Sequence, residues 1–95
     1  MKKQAVVINV KDNVATLVDD FTSGTEIHYF IGDQEQSVIL LQDIPLGHKV
    51  AIREIKKGEE VIKYGESLGG ATTDIKVGQH VHVHNMESLR GRGDK

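Results

Sequence analysis

An eight-residue pattern that recurs along the chain limits what it can fold into more than any other feature. The pattern is an acidic residue, an isoleucine, two variable residues, a glycine, two more variable residues and a valine. It occupies residues 43–50, 54–61 and 74–81, and a looser copy with Phe and Ile at the apolar positions occupies residues 20–27. Glycine can take the positive φ that closes a tight turn, and the acidic side chain can accept backbone N–H bonds across it. The repeat predicts recurring tight corners, and its short, irregular spacing does not suit a solenoid.

Short runs of β-branched and other apolar residues lie between these corners, and such runs favour strands. The predicted strands are residues 5–10, 14–18, 27–31, 37–41 and 80–85, with turns at residues 11–13 and 32–33. No stretch of useful length with helical periodicity precedes residue 86, and residues 87–89 could form at most one helical turn. The chain has two Phe, two Tyr and no Trp, so its core must be built mainly from Val, Ile and Leu. The sequence therefore predicts an all-β domain.

Length, charge and cysteine content exclude several classes of protein. The 95 residues suffice for one small domain, predicted over residues 1–86, and residues 87–95 form a basic, glycine-rich tail expected to be flexible. Without cysteine the chain alone can form no disulfide scaffold, thiolate zinc site or iron–sulfur cluster. The net charge of −2 argues against nucleic acid. The apolar run at residues 5–10 is too short for a signal peptide or a membrane span, so we predict a cytoplasmic protein that binds neither nucleic acid nor membrane.

The stretch His80-Val81-His82-Val83-His84-Asn85 alternates strictly, which predicts a strand with the two valines inward and the three histidines on the other face. Imidazole is the commonest metal ligand of proteins. Neighbouring histidines would lie roughly 6.6 Å apart and the outer pair roughly 13 Å apart. Two of them could share an ion, but a flat strand cannot aim all three at it, so a site here needs groups from elsewhere. The alternative is a solvent-exposed strand face, because His-x-His spacing alone is a weak motif.

Three further groups of polar residues are candidates for binding or catalysis. His48 and Lys49 follow the turn glycine Gly47 and should project from a loop, where binding residues are common. Lys63 and Tyr64 can donate to a carboxylate or hydroxyl. The alternatives are exposed polar residues at a strand entry for the first group, and a Tyr over the core edge beside a surface Lys for the second. Arg90 and Arg92 could clamp an anion or an acidic partner surface, or belong to a frayed tail.

Three blocks of the sequence resemble one known family when taken in order. They are IPLGHKVA at residues 44–51, GEEVIKYGE at residues 58–66 and GQHVHVHN at residues 78–85. Together they resemble the SAF-type N-terminal domain of the altronate dehydratase family, which includes galactarate dehydratase and the two-subunit sulfolactate sulfo-lyase. The ending RGRGD at residues 90–94 is similar to the free-standing small subunits of this family.

The resemblance implies a β-clip fold of short strands and two-stranded ribbons. It also implies a metal-dependent hydro-lyase that dehydrates an altronate-like sugar acid to a 2-keto-3-deoxy acid, with Fe²⁺ as the expected ion and Mn²⁺ as the alternative. This chain would be the small subunit, inactive alone, and a separate large catalytic subunit would carry most of the active site. The predicted roles are catalysis for His48, Lys49, Lys63 and Tyr64, substrate binding for Asn85, Arg90 and Arg92, and metal binding for His82 and His84.

Other functions remain open at this point. Related SAF modules bind sugars or act as periplasmic chaperones, so the chain could be a non-catalytic module for carbohydrate or carboxylate, or a plain metal-binding β-module. An exposed strand edge in a small β protein must be covered, so we expect a partner subunit, and self-association into a homo-oligomer in its absence. Altronate, galactarate and sulfolactate share one carboxylate–hydroxyl unit, so the sequence does not select among them.

Overall fold

The computed structural model describes residues 4–88, and this part of the chain is all-β with no helix. The strands are β1 Ala5–Val6, β2 Val14–Leu17, β3 Glu26–Ile31, β4 Gln34–Ile39, β5 Lys49–Ala51, β6 Glu60–Lys63, β7 Glu66–Ala71, β8 His80–Val81 and β9 Met86–Ser88. They form three small antiparallel sheets with the orders β1-β2-β5-β8, β3-β4 and β6-β7-β9. The predicted all-β class is confirmed, and the small sheets with a two-stranded ribbon fit the expected β-clip.

The four predicted corners are present and pack in two pairs. An isolated bridge joins Phe21 to Ile44, and a second joins Ile55 to Ile75. The three isoleucines are buried, as expected for residues that anchor the chain. The first corner therefore packs on the second and the third packs on the fourth, which is a long-range arrangement that the repeat itself does not reveal.

Each corner closes with the turn that its glycine predicts. His48 donates its backbone N–H to the carbonyl of Pro45 at 3.1 Å, and Gln79 donates to Lys76 at 3.0 Å. The third residue of each of these turns is a glycine with a positive φ, which is 84° at Gly47 and 94° at Gly78. This is the geometry of a type II turn, whose third residue needs a positive φ.

Three of the four acidic corner residues accept backbone N–H bonds, as predicted, but from the partner corner, whereas Glu54 pairs with the Lys56 ammonium. Asp43 accepts from the backbone of Ser23 at 2.8 Å, and Asp20 accepts from Leu46 at 2.7 Å. In the second pair the carboxylate of Asp74 accepts from the Lys57 backbone at 2.8 Å. The carboxylates therefore tie paired corners together and do not close their own turns.

Strands β2 and β5 lie between two apolar clusters and contribute to both. Because successive side chains of a strand point to opposite faces, Val14 and Ala51 enter one cluster while Ala15 and Val50 enter the other. This is why each strand has two successive apolar residues, Val14-Ala15 and Val50-Ala51, where a strand buried on one face would alternate. The sheet that carries β5 and β8 is thus packed on both faces by apolar clusters. This packing holds His48, just before β5, and His80, the first residue of β8, in place.

Three predicted elements differ from the structure. The predicted strand over residues 80–85 ends at Val81, and residues 82–85 turn, leaving Val83 77% exposed and not inward. Residues 86–88 form β9 beside β7, not a helical turn, and so extend two residues beyond the predicted domain end. The first predicted strand, residues 5–10, ends at Val6 because the chain turns at residues 9–11. Most of the predicted tail lies outside the described residues.

Candidate functional site

Two histidines from different corners meet at the end of the central sheet. Strands β5 and β8 pair so that Val50 lies opposite His80 and Lys49 lies opposite Val81. His48 is the last residue of the turn that precedes β5. As a result Nδ1 of His48 lies 2.9 Å from Nε2 of His80, which is hydrogen-bond distance between one protonated and one free imidazole nitrogen.

The turn at residues 82–85 folds a third histidine onto this pair. The ring centroid of His82 lies 4.5 Å from that of His48 and 5.5 Å from that of His80. The rings of His80 and His82 are stacked, with an angle of 8° between their planes. One nitrogen from each ring lies within 4.8 Å of the others. We call these residues, His48, His80 and His82, the three-histidine cluster. In a flat strand over residues 80–85 the His80 and His82 side chains would stand roughly 6.6 Å apart. The turn after Val81 instead folds the His82 ring toward the His48–His80 pair.

The shape of this turn depends on a buried amide. Asn85 is 2% exposed, and its side chain accepts from the His82 backbone at 3.0 Å and donates to the His80 carbonyl at 2.8 Å. Both polar ends of the amide are therefore engaged within the turn. The substrate-binding role predicted for Asn85 stays a prediction. What the structure does show is that this residue orients the histidines.

His84 lies beside the three-histidine cluster and not within it. Its exposed ring has its centroid 5.4 Å from that of His80, and it is absent from the group of converging nitrogens. Of the predicted pair of metal ligands, the structure thus places His82 among converging donors and His84 at their edge. His80 was not among the predicted metal ligands, and no local signal in the sequence marks its approach to His48 across the sheet.

The cluster favours neutral imidazoles. Burial lowers the pKa of His80 from 6.5 to about 4, with the positive charges of His48, His84, His82 and Lys49 acting in the same direction. Burial also lowers the pKa of His82, followed by the charges of His48, Lys49 and His84. A neutral imidazole keeps a free lone pair, so at neutral pH these rings can act as metal ligands or as proton acceptors.

The donor set fits a divalent transition metal. With metal–nitrogen bonds of about 2.1 Å, ligand atoms lie about 3.4 Å apart in a tetrahedral shell and about 3.0 Å apart at adjacent octahedral positions. The separation of 2.9 Å between His48 and His80 is close to the octahedral value, and His82 needs only a small side-chain movement from within 4.8 Å. Three imidazoles suit iron, nickel, copper or zinc and leave coordination positions free.

We expect the metal-free chain to lose stability as the pH falls from about 6.5 toward 4. His80 binds a proton near pH 6.5 in the unfolded chain but only near 4 in the folded one, so its contribution is fully present above 6.5 and is lost as the pH falls through the folded pKa. This pKa difference corresponds to about 3 kcal/mol in the free energy of unfolding. Because the ring is partly exposed to solvent, we expect a loss of about 1–2 kcal/mol. Urea unfolding in a chelator, at neutral pH and near pH 5, measures this loss. An unchanged pH dependence in His80→Gln would contradict it.

Lys49 follows His48 in the chain, and its charge interacts with that of Lys63. Burial lowers the pKa of the half-buried Lys49, and the charge of Lys63 lowers it further. The Lys63 ammonium lies 5.0 Å from the centroid of the Tyr64 ring. The structure therefore connects these predicted catalytic residues to one another, with Lys49 next to His48. Their roles remain predictions, and Arg90 and Arg92 lie outside the described residues.

Comparison with known families identifies the domain. Residues 3–89 match the model of the altronate/galactarate dehydratase SAF domain. The chain belongs to this SAF-domain family. The β-clip expected from the resemblance is therefore supported both by the strands and by the family match.

Relatives of this SAF domain are lyases or parts of lyases. The altronate dehydratase of Escherichia coli K12 is 45% identical over 85 residues, and that of Bacillus subtilis 168 is 35% identical over 86 residues. Each alignment covers 90% of this chain but only 16% of the relative. The (2R)-sulfolactate sulfo-lyase subunit alpha of Chromohalobacter salexigens is 36% identical over 88 residues, which is 90% of this chain and 94% of that subunit. The SAF domain thus occurs both as a small part of a long chain and as nearly all of a separate subunit.

Within residues 4–88, no helix of sufficient length and apolar character to cross a bilayer is present.

Proposed function

We propose that this SAF domain is the small subunit of a metal-dependent hydro-lyase that dehydrates an altronate-like sugar acid to a 2-keto-3-deoxy acid, together with a separate large catalytic subunit. The observation that carries this proposal is the three-histidine cluster, in which donors from two corners and from the turn at residues 82–85 converge within 4.8 Å. It occurs in a chain whose relatives are altronate dehydratases and a sulfo-lyase subunit.

Elimination next to a carboxylate needs a base for the α-proton, an acid for the leaving hydroxyl and stabilisation of the enolate-like charge. A divalent ion, with Fe²⁺ proposed and Mn²⁺ as the alternative, would supply the last of these as a Lewis acid. His48, His80 and His82 would hold the ion. Lys49 is suited to proton transfer, because burial and the charge of Lys63 lower its pKa toward the working range of an acid–base group.

The cluster supplies only part of such a site. Its three imidazoles are half-buried and provide three ligands, whereas an octahedral ion needs six. Substrate, water or another chain must provide the rest. This agrees with the 16% share of the altronate dehydratases that the domain covers. We therefore expect the isolated chain to be inactive.

A specific observation also favours a second function. The convergence of His48, His80 and His82 is sufficient for a metal-binding module without catalysis, and such a module would need no large subunit. The two functions differ in one measurable property, which is whether a larger chain confers lyase activity.

Co-purification with a candidate large subunit tests the proposal. We expect a stable complex that forms 2-keto-3-deoxy acid from altronate with ferrous iron, whereas each chain alone does not. His48→Ala should abolish this activity in the complex. His28→Ala is the matched control, because His28 lies on the β3-β4 ribbon and pairs with Glu35 at 3.0 Å.

Activity of this chain alone at a rate comparable with the complex would refute the subunit role. A stable complex without activity on altronate would reject the proposed substrate, and failure to form a complex would favour the metal-binding module.

A further inference from the structure

The turn that joins β6 to β7 has an unfavourable residue at its first position. Tyr64 and Gly65 alone connect the two strands, with φ of 56° and 81°. Two-residue hairpins with two positive φ values favour Asn-Gly, because asparagine and glycine tolerate this region. Tyrosine does not, and such strain in a native structure persists where the surroundings over-determine it, commonly at binding sites.

A buried carboxylate from another loop holds this turn in place. Asp12 is 0% exposed. Its Oδ1 accepts from the backbone of Gly65 at 2.7 Å, and its Oδ2 accepts from the backbones of Ile8 and Asn9 at 3.2 Å each. Gly65 also packs closely against this loop, because an added Cβ would lie 2.8 Å from the side-chain amide nitrogen of Asn9, which would have to move.

The next residue reinforces the hold on strand β6. Asn13 accepts from the Ile62 backbone at 2.8 Å through Oδ1 and donates to the Glu60 carbonyl at 2.8 Å through Nδ2. The loop between β1 and β2 thus fixes both the strand and its turn. Sequence analysis identified residues 11–13 only as a turn, because nothing local distinguishes a buried aspartate from an ordinary turn aspartate.

The held turn presents two hydrogen-bond donors without partners. Over residues 4–88, the ion pairs join His28 to Glu26 and Glu35, and Lys56 to Glu54. Lys63 takes part in none of these pairs, and its ammonium lies 5.0 Å from the centroid of the Tyr64 ring. No side-chain hydrogen bond in this range uses the Lys63 ammonium or the Tyr64 hydroxyl. A rigid support for unpaired donors is what an anion site requires.

A second positive charge lies within electrostatic range of the Lys63 ammonium. The charge of Lys63 contributes to the lowered pKa of the half-buried Lys49. Lys49 thus adds to the positive potential that an anion at Lys63 would meet.

We propose that Lys63 and Tyr64 bind a carboxylate group of a small hydroxy acid, and that Asp12 is the positioning residue that holds them. One carboxylate oxygen accepts from the ammonium and the other from the phenol hydroxyl, in charge-assisted hydrogen bonds. The identification of this acid with the lyase substrate rests on the proposed function. The binding itself needs neither a metal ion nor a partner chain.

Titration of the metal-free chain with glycolate, followed by amide NMR at constant ionic strength set with sodium chloride, tests this site. We expect saturable shifts of the Lys63, Tyr64 and Gly65 amides. Lys63→Gln should weaken binding by about tenfold or more, as expected for loss of a charged hydrogen bond. The matched control is Lys57→Gln, an exposed lysine of another corner, which should bind as the wild type does.

Two variants separate binding from folding. Tyr64→Asn should bind glycolate weakly while unfolding at the same temperature as the wild type or a higher one, because asparagine suits the turn. Asp12→Asn replaces an acceptor with a donor, and should move the free-state signals of Tyr64 and Gly65 and weaken binding, with the His48 and His80 ring signals unchanged. Wild-type affinity in Asp12→Asn would overturn its positioning role.

Three outcomes would overturn the carboxylate site, even if Asp12→Asn fails to fold. They are the absence of saturable shifts, shifts confined to His82 and His84, and unaltered binding by Lys63→Gln. Glycolate binding at the turn together with failure of the two chains to form a complex would support the site while refuting the proposed function. An active complex with unaltered binding by Lys63→Gln would do the reverse.

Discussion

Gly78→Ala is expected to abolish the folded state, whereas Gly58→Ala is expected to be tolerated. Both glycines occupy the same turn position, with φ of 94° and 91°, so either alanine incurs about 1–2 kcal/mol for a left-handed conformation. Their surroundings differ. An added Cβ at Gly78 would overlap the carbonyl oxygen of Ile39 and lie 3.1 Å from Cγ of Leu41, while the position at Gly58 has no atom within 4 Å.

The overlap at Gly78 cannot be relieved by a side-chain rotation, because the main contact is with backbone. The carbonyl of Gly78 accepts from the Leu41 backbone at 2.8 Å, so two backbone segments are pressed together there. Forcing them apart adds about 1–3 kcal/mol or more of overpacking. The total of about 2–5 kcal/mol or more reaches the lower end of the whole stability of a small domain.

Urea unfolding followed by circular dichroism, with amide NMR spectra at zero denaturant, measures both variants. We expect dispersed spectra for Gly58→Ala with a modest loss of stability, and collapsed spectra for Gly78→Ala. Equal losses for the two variants would show that the fourth corner does not pack against the end of β4 as described.

The second large effect concerns metal affinity. His48→Ala should lower the affinity for Co²⁺ or Zn²⁺ by about 100-fold, because a four-ligand zinc site is worth roughly 10–16 kcal/mol, or about 3 kcal/mol per ligand. His84→Ala should change it by only a few-fold, since His84 lies outside the converging nitrogens and 5.4 Å from His80 between ring centroids.

Visible absorption of bound Co²⁺ reports both the affinity and the number of ligands. His28→Ala serves as the control, because its ring lies on the ribbon and pairs with Glu35. If His84→Ala costs as much as His48→Ala, the ligand pair predicted from sequence, His82 and His84, would be favoured over the three-histidine cluster.

The sequence alone determined the local elements and the family. The corners could be predicted because a glycine with positive φ is required at one position of each turn, and this requirement involves only a few neighbouring residues. The buried positions of Ile44, Ile55 and Ile75 follow from the same short pattern. The three sequence blocks were sufficient to indicate the SAF family, which the match over residues 3–89 confirms.

The strand predicted over residues 80–85 was wrong beyond Val81, because the same residues can form either a strand or a turn. Alternation from His80 onward favours a strand, yet the chain turns after Val81 because the Asn85 side chain satisfies the backbone at His82 and His80. An asparagine that bonds nearby backbone groups is a recognised alternative to strand pairing. The turn forms here because both polar ends of the Asn85 amide are bonded to backbone, so that the side chain is buried at 2% exposure.

Only the tertiary structure decided which residues form the site. His48 and His80 are separated by 32 positions and meet because β5 pairs with β8. Asp12 reaches Gly65 across 53 positions. Such contacts depend on the order of strands in the sheets and on how the corners pair, and hydrophobic periodicity carries no information on either. Turns and burial are local consequences of backbone sterics and side-chain polarity, whereas a site assembled from separate corners exists only once the chain has packed.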